Sequence, residues 1–134
     1  MHMKKRIALI TGATSGIGEA CARRFAMGGY NIIMTGRNRK RLDEVKKELE
    51  AEGADVLTLC FDVRDRAQAT KAVETLGEEW QAVDVLINNA GLARGLEPEY
   101  VGDFTDWDEM VDTNIKGLLT MTRLIVPGMV ERDH

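Results

Sequence analysis

A chain of 134 residues, 44% hydrophobic and 30% charged, has the length of one domain and enough apolar content for a buried core. Its formal charge of −4 offers no general attraction to a phosphate backbone or an anionic membrane, which sets aside nucleic acid and membrane surfaces as partners. No apolar run approaches the roughly 18 residues of a membrane span, and Cys21 and Cys60 lack metal-ligand spacing, so a cytoplasmic protein without a metal site is expected.

The first element is a short apolar strand over residues 7–10, reached directly from the basic N-terminus. Three more such runs follow at 32–34, 56–61 and 83–87, their starts about 25 residues apart, which is room for a strand, a helix and two tight connections. The intervening segments turn to helical period. Ile17, Ala20, Cys21 and Phe25 share one face, then Leu42, Val45 and Leu49, then Ala69, Ala72, Val73 and Leu76. The strand runs are apolar at nearly every position, as required when helices cover both faces of a parallel sheet. The pattern predicts an α/β fold, a Rossmann-type doubly wound parallel sheet over residues 1–134.

Boundary residues agree. Gly28 and Gly29 close the first helix, Asn38 can cap the second and Gly53 end it, and Asp65 can cap the third with Gln68 placed to answer it. A last long helix is expected from Thr105 toward Arg132, with Asp106, Asp108 and Glu109 complementing its positive end and Pro127 kinking it.

Between the first strand and first helix lies Thr11-Gly12-Ala13-Thr14-Ser15-Gly16-Ile17-Gly18. A dinucleotide pyrophosphate needs free N–H groups at a helix N-terminus, the positive end of the helix dipole, and no Cβ atoms in the way. Gly12 suits the sharp turn, Gly16 the close approach of a ligand, and Gly18 tight packing of helix on sheet. Three glycines exceed what a βα turn alone requires.

Together with TGATSGIG at 11–18, the NNAG at 88–91 and the Asn of DTNIKG at 112–117 make the chain similar to the short-chain dehydrogenase/reductases. Within that family TGRNRKRL, GLARGLEP, DTNIKGL and PGMVERDH look most like the NADP-dependent 3-hydroxy acid dehydrogenases that oxidise serine and allo-threonine. The resemblance covers the whole chain but only about the first half of a typical member. It implies an oxidoreductase exchanging hydride with a small hydroxy acid or other alcohol or carbonyl substrate.

The same resemblance implies the cofactor contacts. An acid at the end of the second strand would bind the ribose 2′-OH of NAD and repel the phosphate of NADP; here the place reads Thr35-Gly36-Arg37-Asn38-Arg39, with no carboxylate. Arg37, beside Asn38, is therefore assigned to a 2′-phosphate and the cofactor to NADP, while Arg39 to Arg41 read as a solvated helix start. Ser15, in the glycine loop with Gly12, Gly16, Ile17 and Gly18, stands where many NADP-preferring relatives carry a basic residue. Asp62 and Val63 match the adenine contacts and Asn89 a ribose-side contact. Asn88 has two readings of equal weight, a strand tie or a cofactor contact.

Family chemistry uses a Tyr and Lys spaced YxxxK, plus a Ser. Tyr30 is followed four residues on by Met34 and Tyr100 by Phe104, so neither fits, and of the catalytic tetrad the chain contains Asn114 alone, matching the residue that holds a relay water. Two readings stay open: an oxidoreductase whose second half is lost after His134, or a nucleotide-binding or scaffold fragment without chemistry. The resemblance also implies strand order 3-2-1-4, with the fourth strand at an edge. It implies a homo-oligomer through the last helix, whose stripe of Ile115, Leu118, Leu119, Thr122, Ile125 and Val126 packs between subunits in relatives.

Overall fold

Four parallel strands, β1 (Ile7–Ile10), β2 (Asn31–Gly36), β3 (Val56–Cys60) and β4 (Val85–Ile87), pair in the order β3-β2-β1-β4. The computed structural model describes residues 5–14, 16–90 and 102–133, and of residue 107 the backbone alone. Helices α1 (Gly16–Met27) and α2 (Arg39–Ala51) follow β1 and β2, and α3 (Arg66–Glu74) and the short α4 (Glu78–Gln81) follow β3. After β4 come α5 (Phe104–Val111), a π-helical segment Asp112–Gly117, and α6 (Leu118–Arg132). No helix among the described residues is long and apolar enough to cross a membrane.

Because side chains alternate across a strand, each strand feeds two cores. Ile7, Leu9 and Ile33 meet Ala69 of α3 and Met121 and Ile125 of α6 on one face. Ala8, Ile10, Ile32 and Met34 meet Ala22 of α1 and Leu42, Val45 and Leu49 of α2 on the other. All four residues of β1 are buried, as expected for the inner strand of a sheet covered on both faces. The doubly wound sheet is the one expected from the βαβ rhythm, and its strand order is the one the resemblance implied.

Details differ for physical reasons. β2 extends to six residues, while β4 shortens to Val85–Ile87. α1 buries Gly18 and Ala22, four apart, with Cys21 and Phe25 on the flank; Ile17 is 74% exposed and Ala20 is exposed as well. The helix approaches the sheet so closely at Gly18 that the row of small residues, not the row of larger ones, faces it. α5 starts before Thr105, because the Asp103 carboxylate accepts from the Thr105 N–H at 2.7 Å and takes the cap position. Leu76 is buried just beyond α3, not on it. The Gln68 N–H donates to the Asp65 cap, while its side chain turns to Asp62, its Oε1 accepting from the Asp62 N–H at 3.4 Å.

α6 continues through Pro127 to Arg132, and a π-helical segment, Asp112–Gly117, precedes it. There Gly117 packs on the segment that follows β3 so tightly that a Cβ would stand 2.8 Å from Val63 Cγ2. The expected apolar stripe divides: Ile125 joins the chain's own core with Met121, while Ile115, Leu118 and Leu119 remain 54%, 40% and 59% exposed.

Candidate functional site

A cleft of about 660 Å³ opens at the carboxyl ends of the strands, where open α/β sheets bind ligands at the crossover between their two halves. Just before its first lining residue, Gly12, comes Thr11, whose buried hydroxyl accepts from the N–H groups of Asn89 at 3.0 Å and Ala90 at 2.9 Å. The Thr11 N–H in turn donates to the Ile87 carbonyl at 3.0 Å. One threonine thus ties the turn after β1 to the turn after β4, the two strands that flank the crossover.

Gly12 leaves the strand at φ +61, and a Cβ there would lie 2.8 Å from Ala90 Cα. Gly18 has no room either: a Cβ would collide with the Gly12 carbonyl oxygen and the Asn89 amide. Gly16, at φ +56, differs in facing open space, so its lack of a side chain leaves the N-terminus of α1 accessible. The first-turn N–H groups of a helix have no acceptor within it and carry its positive dipole. At Gly16 the start of α1 is therefore left uncovered beside the cleft.

At the end of β2, Thr35 and Gly36 are buried while the Arg37 side chain is 55% exposed on the cleft wall. Asn38 lines the cleft and also caps α2, its Oδ1 accepting from the Arg41 N–H at 3.1 Å. Arg39 is exposed and lines the cleft. Arg41 is not a free surface cation: it pairs with Glu19 of α1 at 2.6 Å and with Glu44 at 3.1 Å, while Arg23 pairs with Glu19 and with Glu48. This chain of charges braces α1 against α2 behind the glycine loop.

After β3, Asp62 and Val63 form the far wall. Burial alone would raise the Asp62 pKa, but hydrogen bonds from the Arg64 side chain and backbone, with the charges of Arg64 and Arg37, hold it below the usual carboxylate value. Arg64 reaches both Asp62 oxygens, with Nη2 2.7 Å from Oδ2, and Arg37 Nη1 lies 3.7 Å from Oδ2 on the cleft side.

After β4, Asn89 donates its side-chain amide to the Gly12 carbonyl at 3.1 Å, which holds the glycine turn in place. Asn88 donates to Thr122 Oγ1 of α6 at 3.0 Å, a tie from the end of β4 to a helix and not to another strand, and its own Oδ1 is buried without a hydrogen-bond partner. Two buried hydroxyls that line the cleft, Thr35 Oγ1 and Thr113 Oγ1, also lack a partner. Buried polar groups are normally satisfied, so orphaned hydroxyls on a cleft wall fit a site that a polar ligand completes.

The fold thus brings Gly12, Arg37, Asn38, Asp62, Val63 and Asn89 to one cleft, with Gly16, Ile17 and Gly18 opening α1 beside it. Asn114 is exposed on the π-helical segment, next to Thr113 in the cleft wall. Ser15 and Gly91 lie outside the described residues. Sequence reading missed Arg64, Thr35 and Thr113. The spacing of Asp62 and Arg64 was a visible signal, though an acid and a base two apart resemble any solvated pair. A glycine-walled helix terminus, cations at one end and a carboxylate beside them suit an elongated anionic ligand carrying a hydrogen-bonding base.

The family profile of the short chain dehydrogenases matches residues 6–134. The NADP-dependent 3-hydroxy acid dehydrogenase YdfG of Salmonella typhi is 51% identical over 128 residues, covering 96% of this chain and 50% of that protein. Sulfoacetaldehyde reductase 2 of Chromohalobacter salexigens is 46% identical over 125 residues, covering 93% and 49%. The crystal structure of serine dehydrogenase from Escherichia coli superposes with a TM-score of 0.90 at 48% identity, covering 96% of this chain and 58% of that one. The chain spans about half the length of the curated relatives it matches.

Proposed function

The chain belongs to the short-chain dehydrogenase family, and from that premise we propose that it is the NADP-binding half of an oxidoreductase acting on a small hydroxy acid or the related carbonyl compound. One observation carries the cofactor assignment. β2 ends at Gly36 and Arg37 follows it, with no carboxylate from Thr35 to Arg39, and the half-exposed Arg37 guanidinium stands on the cleft wall. A planar cationic fork suits a 2′-phosphate, which an acid here would repel. The relative from Salmonella typhi is NADP-dependent by its name, which supports the same reading.

In this reading the loop from Gly12 through Ser15 and Gly16 to Ile17 and Gly18 holds the pyrophosphate. Arg37 and Asn38 take the 2′-phosphate end, Asp62 and Val63 the adenine, and Asn89 the ribose side while keeping the Gly12 turn closed. The bound dinucleotide supplies the hydride acceptor or donor. Asn114 is proposed to hold a relay water in the complete enzyme, and the exposed face of α6 to join subunits of a homo-oligomer. The test is a binding titration of Arg37→Asp. NADP should weaken roughly 10- to 100-fold, the worth of a charged hydrogen bond, and NAD far less; equal losses would sink the assignment.

One observation favours a second reading of the chain by itself, as a nucleotide binder without turnover. Tyr30 precedes β2 at the amino end of the sheet, edge-on to Phe25 at 5.0 Å between ring centroids, away from the cleft. Tyr100 lies outside the described residues. Production of NADPH from a hydroxy acid by the isolated chain, free of longer enzyme, would exclude that reading.

A further inference from the structure

Arg64 stands outside the cleft wall yet controls a charge on it. Its Nε donates to Asp62 Oδ1 at 3.1 Å and Oδ2 at 3.0 Å, its Nη2 to Oδ2 at 2.7 Å, and its backbone N–H to Oδ1 at 2.9 Å. This is a bidentate grip reinforced by the backbone, the strong form of a charged hydrogen bond. Arg37 approaches the same carboxylate from the cleft, but at 3.7 Å it is an ion pair too long for a hydrogen bond. Two cations share one carboxylate unequally, and Arg64 has the larger share.

The charges of Glu109 of α5 and Asp112 of the π-helical segment also favour the charged form of Arg64, after the dominant hydrogen bonds to Asp62. Arg37 has no such company among its described ion pairs; Asp62 is the acid it meets. Remove the Arg64 guanidinium and the geometry leaves Asp62, a quarter exposed, with Arg37 as its nearest cation. Arg37 would then close onto Asp62 and be spent as its counter-ion, no longer free to meet a phosphate placed beside it.

We propose that Arg64 is a specificity-determining positioning residue: by gripping and neutralising Asp62 it leaves Arg37 available to the 2′-phosphate of the dinucleotide. The inference rests on the assignment of Arg37 to that phosphate, and adds to it the device that keeps the arginine uncommitted. The role is indirect. Arg64 needs no contact with the cofactor, and its effect should vanish when Asp62 is no longer charged.

The probes are 2′,5′-ADP and 5′-AMP, which differ by the 2′-phosphate and share the adenine, titrated calorimetrically into the protein. The unaltered protein should prefer 2′,5′-ADP, and Arg37→Asp should abolish the preference. Arg64→Gln should weaken 2′,5′-ADP by about tenfold with 5′-AMP changed far less, and Asp62→Asn combined with Arg64→Gln should restore the preference. Arg64→Lys, which keeps the charge, should retain most of it. Should Arg64→Gln fail to fold, the double variant and Arg64→Lys, checked by circular dichroism, decide. No preference in the unaltered protein, or one indifferent to Arg37, overturns the Arg37 assignment and this inference together. A preference that depends on Arg37 but survives Arg64→Gln overturns the inference alone. So does an equal loss on both probes, the mark of a merely structural role, or a loss that the double variant does not repair, the mark of direct phosphate contact.

Discussion

At Gly18 the backbone of α1 meets the Gly12 carbonyl and the Asn89 amide with no space for a Cβ. Gly18→Ala must push helix and loop apart, and overpacking of this kind costs about 1–3 kcal/mol, to be read from urea melts. The Gly16 position has open space around it, so there the strain of φ +56 alone opposes a side chain. A charged site makes a pH prediction. Hydrogen bonds from Arg23 and Arg41 pull the Glu19 pKa below its ordinary 4.5 against the opposing effect of burial. A depressed carboxylate contributes stability in full above its unfolded value and loses it as pH falls through the folded one. Stability should therefore decline below about pH 4.5, and Glu19→Gln should lower stability at neutral pH while flattening that acid limb. The role of Gly18 was legible in the sequence because a missing Cβ is a local fact. The role of Arg41 was not, since its partner Glu19 lies on another helix.

At the scale of elements, capping was readable wherever the cap and its acceptor site are neighbours in the chain. Asn38 accepts from the Arg41 N–H and Asp65 from the Gln68 N–H, both at 3.1 Å. Asp65→Ala should destabilise by about 1 kcal/mol, the usual worth of a lost N-cap, without moving the sheet, a result thermal melts and amide exchange can check together. The start of α5 was misplaced by the same local logic, because Thr105 and Asp103 are both competent caps and the carboxylate took the role. The π-helical segment had no local signature. It exists where Gly117 must approach Val63 and Thr113 must face the cleft, contacts between segments some 50 residues apart.

At the scale of the whole molecule, β4 is an edge strand among the described residues, and one face of the helices that follow it leaves Val111, Ile115, Leu118 and Leu119 exposed. An unpaired strand edge and a contiguous apolar face both favour association. The 134-residue chain is expected to self-associate, with Leu119→Glu shifting it toward monomer in sedimentation velocity; a compact monomer at high concentration would refute this. The sequence by itself determined the α/β class, the strand order expected of the family, the glycine loop and the arginine after β2. The class, the glycine loop and the arginine are written in periodicity or in residues adjacent along the chain, and the strand order came with the resemblance those motifs carry. Tertiary structure alone decided that α1 buries its small residues, that Asn89 closes the Gly12 turn, that Thr35 and Thr113 bring unpartnered hydroxyls to one cleft, and that Arg64 and Arg37 divide Asp62 between them. Those outcomes depend on distances between side chains on separate strands and helices, which exist only once the sheet has brought its carboxyl ends together.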